Sequence, residues 1–354
     1  MDKSLDFLMN HNHEQFVYRH DRETGLRALI AVHNTTLGPG LGGTRLWHYD
    51  SLSDAALDVL RLSEGMTYKA AVAGLPLGGG KSVIMADGRE KDPVVRRERF
   101  EAFGRFVQDI AGRYIAAEDV GTKPTDMVSI RHYTRHVVGL PPDEGGSGDP
   151  SPMTAFGVLQ GIRALVEEVM ERDDLKGVRV AVQGLGKVGL ALAQSLVEAG
   201  AVVTGTDVFP GARDLATKHD IRFVEADAIY DVPCDIFAPC ALGAVINDAT
   251  IPRLSCSIIA GSANNQLEHE RHGDVLHDQG IVYAVDYVIN SGGLINVATE
   301  IEGYDEAKAR ARTAEIYSTI KRLQALSHME GISTVRAAHM MAEAALQGKE
   351  MVPA

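Results

Sequence analysis

"VRVAVQGLGKVGLALAQSLVEAGAVVTGTD", Val178 to Asp207, decides the fold. It opens on a β-rich run, passes Gly184, Gly186 and Gly189 in G-x-G-x-x-G spacing, continues with apolar residues at helical intervals, and closes on a second β-rich run ending at Asp207. The glycine spacing alone says little. A strand before it, a helix after it, a second strand and an acid 23 positions past the first glycine complete a dinucleotide-binding unit. In such a turn the first glycine permits the bend, the second admits a pyrophosphate to the backbone, and the third lets helix and strand pack closely. Leu185, Lys187 and Val188 would then meet the phosphates at the helix amino terminus. Asp207 would accept hydrogen bonds from the adenine ribose hydroxyls, and its charge would repel a 2′-phosphate, so the expected cofactor is NAD rather than NADP.

Working outward, β-rich runs at "CDIFAPC", "CSIIAG" and "GIVYAVD" alternate with helical segments, the pattern of a doubly wound parallel sheet. Upstream, "GLPPDEGGSGDPSP" (Gly139 to Pro152) is dense in turn formers and poor in apolar residues, which marks a linker. The expected fold is therefore α/β in two domains: an amino-terminal α/β substrate-binding and oligomerisation domain over residues 1–145, and a Rossmann-type NAD-binding domain over residues 146–332, with a final helix over residues 333–354 that returns to the first domain as one option. In the first domain, "EQFVYRH" and "LRALIAVHN" read as strands. Ser51 with Asp54 reads as a helix start, the helix running to about Met66. "VVRRERFEAFGRFVQDIAG" reads as a second helix, and "RYIAAEDV" as a strand ending in two acids. Tyr304 to Gly331 and Thr334 to Gln347 read as long helices.

A formal charge of -13 would repel nucleic acid and anionic membranes. No apolar run approaches the roughly 20 residues that cross a bilayer, and "MDKSLDFLMNHNHEQ" lacks the basic and apolar regions of a signal peptide. A cytoplasmic protein is expected. Cys234, Cys240 and Cys256, without paired metal spacing, suit buried thiols in a reducing compartment, and no metal is expected.

"GLPLGGGKS", Gly74 to Ser82, nearly matches the nucleotide-hydrolase phosphate loop, but Leu75 stands where its first glycine should, and "SVIMAD" reads as a strand, not a helix. Lys81 needs another use. Lys69, Lys81 and Asp119 fall at the ends of expected elements, and two lysines near one pocket would repel each other, lowering the pKa of at least one. The adjoining glycines would let a carboxylate-bearing substrate lie against the backbone. Taken by spacing alone, solvated lysines and a capping acid are the better reading.

Seven blocks reverse that balance: "GPGLGGTR" (Gly38 to Arg45), "GMTYKAAVAGLPLGGGKSV" (Gly65 to Val83), "AAEDVGT" (Ala116 to Thr122), "TAFGV" (Thr154 to Val158), "APCALGAVIN" (Ala238 to Asn247), "GSANNQL" (Gly261 to Leu267) and "DYVINSGGLINV" (Asp286 to Val297). In this order they resemble the glutamate/leucine/phenylalanine/valine dehydrogenase family along almost the whole chain, most of all its leucine dehydrogenase branch. The resemblance implies reversible oxidative deamination of an apolar L-amino acid to its 2-oxo acid, NAD taking the hydride and ammonium leaving, in a homo-oligomer. It makes Lys69 the partner of the substrate carboxylate, Lys81 the base of lowered pKa that activates water, and Asp119 the group that exchanges a proton with the amino nitrogen. Asn264 and Thr154 fall where the family contacts substrate and nicotinamide, Ala238, Cys240 and Ala241 where the ring stacks, and Gly42 beside the substrate. Domain closure would exclude water.

Glutamate-specific relatives carry a lysine where this chain has Leu41; a buried second carboxylate would lack its cation here, at a cost of several kcal/mol. Leu41, Ala117, Leu294 and Val297 would form an apolar pocket. Ala117 matches the leucine enzymes, whereas Leu294 is what several phenylalanine enzymes carry; Gly40 and Ala70 replace the usual alanine and asparagine. One methylene shifts preference by only ~1 to 3 kcal/mol, so leucine leads valine and isoleucine, with phenylalanine or tryptophan as the alternative substrates. A non-catalytic NAD-binding sensor and a 2-hydroxy acid dehydrogenase are the alternatives of another class. "HERH" (His269 to His272) is one residue short of the zinc-protease motif and reads as a solvated helix face.

Overall fold

The computed structural model describes residues 3–349. They divide into two units: the first runs to Asp149 and takes up Val297–Glu306 again, and the second holds Pro150–Asn296 and the chain from Ala307 onward.

The first unit contains α1 (Lys3–Asn10), β1 (Gln15–His20), β2 (Arg27–Asn34), β3 (Gly40–Trp47), α2 (Leu52–Val72), β4 (Gly78–Met85), α3 (Pro93–Asp109), β5 (Tyr114–Glu118) and α4 (Pro124–Arg131). Its sheet has the order β1-β2-β4-β3-β5. β2 pairs antiparallel with β1 and β4, and β3 parallel with β4 and β5. The two-residue period of a strand sends Leu29, Ala31, Val83 and Met85 to one face, buried against Ala55, Val59 and Leu60 of α2. Ala28, Ile30, Ile84 and Ala116 take the other face, against Phe100, Phe103 and Phe106 of α3 and Ile130 of α4.

α2 begins where Ser51 accepts a hydrogen bond from the Asp54 amide, as its sequence predicts. It does not stop near Met66. Ala70, Ala71 and Val72 are buried and carry it another turn, so Lys69 lies within the last turn of a helix rather than beyond its end. β3 has no β-branched pattern because Gly40, Gly42 and Gly43 interrupt it, and for that reason it escapes a sequence reading. Those glycines are needed for close approach: a Cβ on Gly42 would stand 1.7 Å from the Gly80 carbonyl oxygen, and one on Gly79 would stand 2.1 Å from Thr67 Oγ1. The glycines before Lys81 thus bed strand against strand and strand against α2. Their missing side chains leave no room for a substrate carboxylate, contrary to the sequence expectation.

The second unit opens with α5 (Ser151–Met170) and β6 (Arg179–Gln183), followed by α6 (Lys187–Glu198), β7 (Val202–Thr206), α7 (Ala212–Lys218), β8 (Arg222–Phe223), β9 (Ile236–Pro239), β10 (Ile258–Ile259), α8 (Arg271–Asp278) and β11 (Val282–Tyr283). The sheet order is β11-β10-β9-β6-β7-β8, parallel throughout. That is the doubly wound order of a dinucleotide-binding fold, which reverses between β6 and β9.

α9 (Asp286–Ile289), α10 (Gly292–Thr299), α11 (Glu306–Ala314), α12 (Ile316–Glu330) and α13 (Thr334–Leu346) complete the chain. The single helix expected over Tyr304 to Gly331 is two, broken at Glu315. The described part of the last helix belongs to the second unit. α13 buries Val335, Ala337, Ala338 and Ala342 and lies beside α8 and α12 in the second unit. The segment that does cross back is Val297–Glu306. Within it Glu300 accepts hydrogen bonds from the amides of Gly139 (2.9 Å), Leu140 (3.4 Å) and Ser147 (2.8 Å) and from Ser147 Oγ, which ties down the glycine-rich linker. Among the described residues no helix is long and apolar enough to cross a membrane.

Candidate active site

Strand period also assembles the chemistry of the first unit. β3 and β4 pair with Leu41 opposite Gly79 and Thr44 opposite Ser82, and β3 and β5 pair with Gly43 opposite Ala117. Leu41, Gly43 and Arg45 of β3, Lys81 of β4, and Ala117 and Asp119 at the end of β5 therefore share the face covered by α2. On that face Lys81 Nζ lies 2.8 Å from Asp119 Oδ2, with only 7% of the lysine side chain exposed. Gly43 makes the meeting possible, since a Cβ there would stand 2.6 Å from Asp119 Cβ and 3.2 Å from Lys81 Nζ.

Arg45 joins the pair. Its Nε donates to the same Asp119 Oδ2 at 3.2 Å, and its Nη1 donates to Asp58 Oδ2 at 2.9 Å. Tyr49 donates its hydroxyl to that Asp58 oxygen at 2.6 Å. Burial alone would raise the Asp119 carboxyl pKa, but the Lys81 and Arg45 cations outweigh it and hold the group below the usual carboxylate range. Burial and the Asp58 carboxylate push the Tyr49 phenol up, so it stays a donor.

The sequence reading weighed lysine against lysine. The structure adds a carboxylate held against Lys81, with Arg45 beyond it. Leu41 and Ala117 flank the pair and are buried, and Lys69 stands in the last turn of the covering helix. Gly42 does not join this group. It lies one residue out of phase, on the opposite face, where Tyr114 donates to its carbonyl at 2.7 Å and the Gly80 carbonyl fills its Cβ position.

In the second unit the glycine turn, Asp207 and the end of β9 come together beside the strand reversal. Gly184 follows β6 with φ +97°, a left-handed value that suits glycine. A Cβ there would stand 2.7 Å from Ala241 Cβ, and one on Gly189 2.0 Å from the Gly184 carbonyl oxygen. A Cβ on Gly186 would meet nothing within 4 Å, so this glycine leaves open space where a pyrophosphate would approach. Leu185 stands within the turn, and Lys187, Val188 and Gly189 form the first turn of α6. The Cys240 amide donates to Gln183 O at 2.7 Å, which brings the end of β9, from Ala238 through Cys240 to Ala241, beside the glycine turn. Asp207 follows β7 and accepts from the Leu185 amide at 2.7 Å and the Val208 amide at 2.6 Å. Its carboxylate keeps lone pairs for ribose hydroxyls. The donor set and the open glycine fit a dinucleotide.

Asn264 Oδ1 accepts from Asn290 Nδ2 at 2.7 Å, and Thr154 donates to Pro150 O at 3.0 Å from the first turn of α5. Leu294 and Val297, three residues apart on α10, share a helix face. His272 of "HERH" is not solvated. It is fully buried, its Nε2 lies 3.2 Å from Asp248 Oδ1, and its Nδ1 accepts from the His269 amide.

Comparison with known proteins decides the family. The model described as "Glu/Leu/Phe/Val dehydrogenase, dimerisation domain" matches residues 12–136, and that described as "Glutamate/Leucine/Phenylalanine/Valine dehydrogenase" matches residues 145–212 and 206–352. The chain belongs to the Glu/Leu/Phe/Val dehydrogenase family. It is 51% identical to a leucine dehydrogenase of Thermoactinomyces intermedius over 96% of this chain and 93% of that one. A phenylalanine dehydrogenase of Caldalkalibacillus thermarum is 46% identical over 95% and 91%. Among solved structures, an L-tryptophan dehydrogenase from Nostoc punctiforme superposes with a TM-score of 0.86 at 42% identity, covering 97% of this chain and 98% of that one.

As a Glu/Leu/Phe/Val dehydrogenase the chain is an NAD(P)-dependent enzyme acting on CH–NH2 donors. The sequence reading singled out Lys81 and Asp119 but passed over Arg45, Asp58 and Tyr49. Arg45 ends the quoted "GPGLGGTR" block, and recognising β3 as a strand would have placed it four residues from Leu41 on one face. Nothing local in the sequence connects Asp58 or Tyr49 to it.

Proposed function

We propose that this chain catalyses the NAD-dependent, reversible oxidative deamination of leucine, and of valine and isoleucine, to the 2-oxo acid with release of ammonium. The observation that carries the reading is the Lys81–Asp119 pair of 2.8 Å on a sheet face shared with the buried, apolar Leu41 and Ala117, where Leu41 offers no cation to a distal carboxylate. Lys69 holds the substrate carboxylate. Asp119 takes a proton from the substrate's ammonium group and later returns it to the leaving nitrogen. Lys81, after shedding its own proton, takes one from the water that attacks the iminium carbon and stabilises the resulting carbinolamine. The carbinolamine hydroxyl gives up its proton as the carbonyl forms and ammonium leaves. When bound, the nicotinamide dinucleotide accepts the hydride from Cα. Asp207 selects NAD because its carboxylate would repel a 2′-phosphate. A cytoplasmic homo-oligomer suits both the chain's acidic charge and the dimerisation domain named for its first half.

Leu294 supports a second reading, in which the side chain is aromatic. The test is NAD reduction with leucine, valine, phenylalanine and tryptophan, together with reduction of the matching 2-oxo acids with and without ammonium. Leucine should have the highest kcat/KM, and the reverse reaction should require ammonium. Turnover of a 2-oxo acid without ammonium, or no turnover from folded protein, would end this reading.

A further inference from the structure

The geometry points to Arg45 as a positioning residue that confines proton exchange at Asp119 to one carboxylate oxygen, an inference that rests on the amino acid dehydrogenase reading of the site. Asp119 Oδ2 receives Lys81 Nζ at 2.8 Å and Arg45 Nε at 3.2 Å. Two cationic donors occupy the lone pairs of that oxygen, so a proton leaving the substrate nitrogen has Oδ1 as its landing place. The carboxyl then turns neither of its oxygens freely, and the acceptor stays at one position on the face beside Leu41 and Ala117.

The clamp works only if Arg45 is itself held. Its Nη1 reaches Asp58 Oδ2 at 2.9 Å while its Nε keeps Asp119. One planar guanidinium thus spans two carboxylates on different elements, which an ammonium cannot do with fixed geometry. Tyr49 closes the chain at 2.6 Å from Asp58. Among the described residues, the charged and titratable groups that act on Asp119 include Lys81 from β4, Arg45 from β3 and Tyr114 from β5, with Asp58 from α2 and Tyr49 behind Arg45. Opposite charges therefore stand at two distances from Asp119: Arg45 favours its ionised form, and Asp58 works against it.

That arrangement gives a test with two signs. The pH dependence of kcat/KM for leucine and NAD is measured for the wild type, Arg45→Gln, Arg45→Lys and Asp58→Asn, with thermal melts to verify folding and NAD titration as a control in the other unit. Arg45→Gln should lower kcat by tenfold or more and move the acid limb to higher pH. Asp58→Asn should move that limb to lower pH while still lowering kcat, because Arg45 loses its anchor but Asp119 gains field. Arg45→Lys, which keeps the charge, should not restore kcat. NAD affinity should be unchanged throughout.

Acid limbs that stay in place in both Arg45→Gln and Asp58→Asn, or full rescue by lysine, would overturn the inference while the wild type still turns over leucine. If the wild type itself turns over no amino acid, the underlying reading falls and this one with it. Should Arg45→Gln fail to fold, the isosteric Asp58→Asn decides alone: a lowered limb with reduced kcat supports the clamp, and a wild-type profile refutes it.

Discussion

Gly43 and Asp119 meet where neither could tolerate a methyl group between them. A Cβ on Gly43 would stand 2.6 Å from Asp119 Cβ, 2.8 Å from the Glu118 carbonyl oxygen and 3.2 Å from Lys81 Nζ. Gly43→Ala should therefore push the acid and the lysine apart, and displacement of that order costs about 10²-fold in rate. Steady-state kinetics should show the loss in kcat, with NAD affinity untouched because the cofactor residues lie in the other unit. Wild-type kcat in a folded variant would mean that the pair needs no such closeness.

The Asp119 carboxyl is held low by Lys81 and Arg45 against its own burial. A carboxyl lowered by folding stabilises the folded state fully above the unfolded value of about 3.9, and that stabilisation disappears as pH falls through the lower folded value. The stability difference between wild type and Asp119→Asn, read from urea midpoints, should be widest near neutrality and shrink below about pH 4. A gap that widens on acidification would mean the carboxyl is not held low by these cations.

Asp207 has two tasks that one substitution separates. Asp207→Ala should raise kcat/KM for NADP relative to NAD by about tenfold, a change of roughly 1.4 kcal/mol. It should also cost about 1 kcal/mol of stability, since the carboxylate accepts from the Leu185 amide. Kinetics with both cofactors and chemical denaturation give the two readings independently. Unchanged cofactor preference would assign discrimination to another residue.

Away from the site, Arg99 is 2% exposed and donates from both terminal nitrogens to Asp87 at 2.8 Å. Asp87→Ala leaves that cation with Glu90 at 3.2 Å and should destabilise the protein by about 3 kcal/mol, as breaking a buried pair does. Denaturant unfolding measures it, and a loss under about 1 kcal/mol would show that Glu90 replaces Asp87.

The second unit was legible because its signals are local: Gly184, Gly186, Gly189 and Asp207 sit within one strand–helix–strand stretch. β1, β2 and β4 were legible from their β-branched runs. β3 was not, since Gly40, Gly42 and Gly43 serve strand-to-strand approach and erase the period that would reveal them. The role given to the glycines before Lys81 failed for the same reason: their missing Cβ atoms are met by Thr67 and by Tyr114, contacts fixed only when helix and strands assemble. Lys81 and Asp119 stand out as residue types, but their ion pair and its extension through Arg45 to Asp58 depend on three strands and a helix coming together.

The central claim is that Lys81, paired with Asp119, performs the proton chemistry of leucine deamination. Leucine-dependent NAD reduction by Lys81→Ala tests it most directly, with NAD binding measured on the same protein. A general acid–base group of this kind contributes about 10² to 10⁴ in rate, so kcat should fall by at least 10² while NAD affinity stays at the wild-type value. Retention of wild-type kcat, or loss of NAD binding in step with turnover, would contradict the account.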